Sequence, residues 1–153
     1  MSRSALIRSL VGLAMAIAVT GCSGLVEGRP TPTPQDFGGI VSSLNDAGIT
    51  VTNPVSGDTG CSDPNLFGPT IAFDAVGLGV TTPVRLRVYI FGNADTYNRR
   101  RADVDRCIAR WATDPATFET IDASPYVLAG QGPWPAPFKA ALQAALTAAA
   151  GKG

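Results

Sequence analysis

The run Val84-Arg85-Leu86-Arg87-Val88-Tyr89-Ile90-Phe91 alternates strictly, and a period of two marks a β-strand with two distinct faces. Val84, Leu86, Val88 and Ile90 share one face, and Arg85, Arg87, Tyr89 and Phe91 share the other. Burial of those aliphatics contributes at most about 6–12 kcal/mol, an upper figure because unfolded chains already bury part of their apolar surface. The expected partner is Thr70 to Val76, antiparallel across a turn at Gly77 to Pro83. If Ile71, Phe73 and Ala75 face the core, odd positions there meet even positions here. Asp74 then lies opposite Arg85 or Arg87 on the outer face. The arginines are cross-strand ion partners, each pair contributing up to about 1 kcal/mol, or else an anion-binding stripe. The carboxylate at hand favours the first reading.

Helical periodicity flanks this pair. Phe37, Ile40, Val41, Leu44 and Ala47 form one stripe, with Asp36 placed to cap its start and Gly48 its end. Ile49 to Thr52 reads as a short strand, and Asn53 to Pro69 as a long Gly/Pro/Asp/Ser-rich loop. Asp58, Asp63 and Asn65 in that loop lack calcium-loop spacing and read as turn residues. From Asn93 or Asp95 to about Ala112 a second helix carries Tyr97, Val104, Cys107, Ile108 and Trp111 on its buried stripe. Its Arg99-Arg100-Arg101 run reads as a solvated face, because Asp95, Asp103 and Asp105 lie within reach of it. Thr117 to Ile121 and Tyr126 to Ala129 predict two shorter strands. Phe138, Ala141, Leu142, Ala145, Leu146 and Ala149 give the clearest helix of the chain. Trp134, between prolines, either packs back on Phe138 or stands out as a recognition anchor, and the packing is favoured. The order of elements predicts an α+β domain: an antiparallel sheet with about three helices packed on one face.

At the other end, Arg3 and Arg8 flank a basic start, and Leu10 to Val19 carry no charge. The run is too short to span a membrane, which takes about 20 apolar residues, and fits a secretory signal. It ends in Val19-Thr20-Gly21-Cys22, which resembles the lipobox of bacterial lipoprotein signals. That resemblance implies a diacylglyceryl group on the Cys22 thiol, cleavage after Gly21, and a membrane anchor of two acyl chains. Residues 1–21 are thus the expected signal, 22–35 a Pro/Thr-rich tether of extended polyproline character, and 36–150 a single domain.

Composition removes several kinds of function. The chain has no histidine, which excludes Ser-His and Cys-His pairs and His metal ligands. Twelve basic residues face twelve acidic ones, and loss of Arg3 and Arg8 with the signal tips the balance to slightly acidic. No basic domain offers itself to nucleic acid. Asp103 and Asp105, two apart on a helix, point to different sides and do not converge for acid–base work. Gly130-x-Gly132 has no phosphate-loop lysine after it. No catalytic residue, metal site or cofactor is expected. With Cys22 acylated, Cys61 and Cys107 are the remaining thiols, in a compartment where disulfides persist. Cys107 faces the core side of its helix and Cys61 sits on the loop free to reach it. A bridge there would stabilise the fold by about 4 kcal/mol in the chain-entropy model.

Taken together, the lipobox, VRLRVYIFGNADTYNRRRADVDRC and SPYVLAGQGPWPAPFKAALQAAL resemble small uncharacterised bacterial extracytoplasmic lipoproteins. The resemblance implies a lipid-anchored domain on the outer face of the cell membrane, partnered by membrane lipid and by an envelope protein, and it carries no catalytic residues. The expected role is a non-catalytic binding or accessory module, with Arg85, Arg87 and Trp134 as the candidate binding residues. The alternative is a small-ligand carrier or sensor with a pocket between sheet and helices.

Overall fold

The computed structural model describes residues 37–151. The expected signal, the tether and Cys22 lie outside the described residues. Along the chain run α1 (Phe37–Asp46), β1 (Ile49–Ser56), α2 (Pro64–Phe67), β2 (Thr70–Gly77), β3 (Val80–Ile90), α3 (Ala94–Trp111), β4 (Phe118–Ala123), β5 (Tyr126–Gln131) and α4 (Ala136–Ala150). The strands form one antiparallel sheet in the order β1-β2-β3-β5-β4. The class is α+β.

The alternation in β3 sets the register. Ile71 pairs with Val88 and Phe73 with Leu86 on one face, while Asp74 pairs with Arg85 on the other. β3 begins at Val80, earlier than the alternation suggests, because the hairpin turns within Leu78-Gly79 at φ 49° and 96°. Two positive φ angles match the twist of a two-residue hairpin. A leucine in that conformation carries strain, which its packing against the core offsets. β1 also outruns its expected end at Thr52. A bulge between Thr52 and Val55, with Asn53 at φ 50°, carries Pro54 on this edge strand without a lost ladder bond in the centre of the sheet.

The helices divide between the two faces of the sheet, where one shared face was expected. Ile40 and Leu44 of α1, with Phe138, Leu142 and Leu146 of α4, cover Phe73, Leu86, Val88 and Leu128. On the opposite face, Val104, Cys107 and Ile108 of α3 and Leu66 of α2 cover Tyr89, Phe91, Val127 and Ala129. The physical reason lies in β5, whose Tyr126 to Gly130 are all buried. A strand apolar on both sides needs cover on both. α3 starts where Asn93 caps it, accepting from the Thr96 N–H at 2.8 Å, and it ends at Trp111.

Candidate functional site

α3 and α2 cover only part of their face. Arg85, midway along β3, and Arg87, further on in it, are left to the segment between β1 and α2, which folds back over them. Asp58 is its centre. Asp58 Oδ2 accepts from Arg85 Nη2 at 3.0 Å, Oδ1 accepts from Arg87 Nη2 at 2.9 Å, and the Asp58 carbonyl accepts from Arg87 Nε at 3.2 Å. Arg85 also donates through Nη1 to Asp74 Oδ1 at 3.2 Å and to the Asn53 carbonyl at 3.1 Å. The Asn53 side chain donates to Asp74 Oδ2 at 2.9 Å. Two arginines and two aspartates therefore close a balanced cluster.

The segment is pinned at three further points. Tyr89, fully buried, donates its hydroxyl to the Thr59 carbonyl at 3.1 Å. Gly60, at φ 76°, lies so close to Trp111 that a Cβ there would stand 2.5 Å from the indole Cδ1. No larger residue fits. Cys61 and Cys107 form the disulfide, with Cα atoms 5.4 Å apart across 46 positions of sequence. The Arg87 guanidinium lies 4.4 Å over the Trp111 ring, which meets Phe118 edge-on at 5.0 Å.

These contacts move the titrations in a consistent way. Partial burial works to raise the Asp58 carboxyl, but the hydrogen bonds from Arg85 and Arg87 outweigh it and hold the group below its ordinary value. Asp74 is lowered by its bonds from Asn53 and Arg85. Burial pushes the Tyr89 hydroxyl up to about 12. At neutral pH the cluster holds two ionised carboxylates, two guanidinium ions and a neutral phenol.

Beside the cluster lies a cleft of about 470 Å³, lined by Pro83, Val84, Arg85, Arg87, Trp111 and Gln131, among others. The Gln131 carboxamide is spent on the α3–β4 connection, accepting from Thr113 and donating to the Asp114 carbonyl and Thr117. The arginines supply the cleft's polar chemistry. Among the described residues, no group of His, Cys, Asp and Glu side chains is placed to hold a metal ion.

Of the binding candidates, Arg85 and Arg87 come together on one face. Trp134 does not join them. It is 6 % exposed, packs edge-on against Phe138 at 6.2 Å, and donates its indole N–H to the Gln131 carbonyl at 3.0 Å. Its own N–H donates to Glu119 Oε1 at 2.7 Å, so it is a core residue and no surface anchor. On α3, Arg100 pairs with Asp103 and Arg101 with Asp105, as the spacing predicts, and Arg101 reaches across to Asp122 at 2.6 Å. Asp58 is the residue that sequence reasoning missed. The one available signal was charge balance, since Asp74 alone leaves one of the two strand arginines unmatched.

No protein-family model, curated protein or solved structure matches this chain.

Proposed function

We propose that the chain is a membrane-anchored extracytoplasmic lipoprotein, held by a diacylglyceryl group on Cys22, whose domain serves as a non-catalytic binding or accessory module. The observation that carries this reading is the Cys61–Cys107 bond, which ties the only two cysteines of the described residues together. Such bonds persist in oxidising compartments outside the cytoplasm, the destination that the basic start, apolar run and lipobox-like end of the signal also imply. Conversion of Cys22 to Ala tests it: the variant leaves the membrane fraction on cell fractionation. A variant as membrane-bound as the parent overturns the anchor. Reproducible co-purification of an envelope protein from detergent-solubilised membranes supports the accessory role.

The cleft beside Arg85, Arg87 and Trp111 favours a second reading, a small-ligand carrier or sensor. The cleft lies between sheet and helix, and its volume falls within the usual range for small-molecule sites. A co-purifying small molecule without a protein partner supports this reading over the first.

A further inference from the structure

Asp58 sits on the arginines as a ligand's carboxylate would. Each of its oxygens takes one guanidinium, Oδ2 that of Arg85 and Oδ1 that of Arg87. We propose that Asp58 is a resident stand-in, and that the Arg85–Arg87 pair binds a small organic acid whose carboxylate displaces it and whose apolar body lies against Pro83 and Trp111. The proposal rests on the ligand-binding reading above and names the chemical class of the ligand.

Three observations carry it. First, the donors are in place before any ligand arrives. Both arginines stand on a central strand, Arg87 only 14 % exposed and stacked on Trp111. Arg87 Nη1 and Arg85 Nε make no hydrogen bond among the described residues, so the pair keeps donors beyond those that Asp58 uses. Guanidinium groups match planar carboxylates in geometry as well as charge.

Second, the charge count demands an exchange. Arg85 and Arg87 are already balanced by Asp58 and Asp74, so an incoming acid is favoured only if one resident carboxylate leaves. Asp74 is held on a strand by Asn53 as well as Arg85. The Asp58 side chain is 31 % exposed and held by the arginines alone. Rotation about its Cα–Cβ bond frees the site while Thr59, on Tyr89, and Cys61, on Cys107, keep the backbone where it is.

Third, the cleft next to the arginines is ready to take the rest of the molecule. Pro83 and Trp111 give it apolar walls, and Gln131 spends its amide elsewhere. The chemistry selected is one carboxylate joined to an apolar or aromatic body.

Benzoate is a suitable probe, with benzamide as its uncharged control, titrated into the full chain in detergent and read by calorimetry and by the Nε–H resonances of labelled arginine. The expected result is benzoate binding with Kd of about 1 mM, at least about tenfold tighter than benzamide, with the Arg85 and Arg87 resonances shifting. Asp58→Asn, which removes the competing charge, tightens benzoate about tenfold, and Arg87→Gln abolishes binding. Benzoate no tighter than benzamide in the parent, or arginine shifts away from Arg85 and Arg87, overturns the proposal. So does an Asp58→Asn variant that is folded but binds no better. The parent's titration and resonances decide the matter if that variant does not fold. A small molecule that co-purifies with the chain but carries no carboxylate overturns this proposal and leaves the ligand-binding reading standing, so the two failures remain distinguishable.

Discussion

On the α1/α4 side of the sheet, Phe73, Leu86, Val88 and Leu128 meet Ile40, Leu44, Phe138 and Leu142 through apolar contact. On the α3 side, Tyr89 and Val127 share their cover with a disulfide, and Arg85 and Arg87 are covered by Asp58. Apolar contact has no direction and tolerates small displacements, whereas the second kind of cover depends on each partner standing in its place. The first face is suited to hold the fold. The second spends directional groups on a loop, which is where a protein can afford to exchange one partner for another.

Phe138→Ala attacks the first face and carries the largest expected effect, a loss of about 3–5 kcal/mol, measured by urea unfolding. Replacing both Cys61 and Cys107 by Ser attacks the second and costs about 2–4 kcal/mol. In that variant amide exchange should quicken across residues 57–67 and stay unchanged in α1 and α4. Equal quickening throughout would break the comparison, because it would make the two covers one cooperative unit. Asp58→Ala leaves two guanidinium groups short of a partner and costs about 1–2 kcal/mol by the same unfolding assay. Acid gives the smallest and most selective effect. The folded-state pKa values of Asp58 and Asp74 lie below the unfolded value, so their contribution is complete above about pH 4. It is lost as the pH falls through the lowered folded values. Thermal melts between pH 5 and pH 2 should show this loss, and Asp58→Asn with Asp74→Asn should flatten it. Glu119 and Asp122, also lowered by their partners, leave a remainder of the same sign.

Local pattern carried far in this chain. Alternation in β3 yields its register with β2, a 3.6-residue period yields α4 with its buried Phe138, Leu142 and Leu146, and thiol count with helix facing yields the Cys61–Cys107 bond. Three things lay outside local pattern. The Leu78-Gly79 turn was hidden because leucine is a poor signal for positive φ, and only its packing holds it there. The division of helices between two faces depends on β5 lying between β3 and β4, a fact of pairing that no segment encodes by itself. Asp58 reads as a turn residue because its partners are 27 and 29 positions away, and an ion pair at that range leaves no period behind.

The strand order has a consequence for how the chain reaches this state. β1, β2 and β3 are neighbours both in sequence and in space, so residues 49–90 can form a meander as soon as they are made. The other edge of β3 has no partner until residues 126–131 are present, with the whole of α3 and β4 made in between. During that interval the most strictly alternating strand of the protein offers a row of open backbone groups, the feature through which immature chains pair with one another. Arg85 and Arg87 stand on that strand from the outset. Their partners Asp58 and Asp74 are made before them, so the charge cluster on the face of that strand can close while its edge still waits for β5.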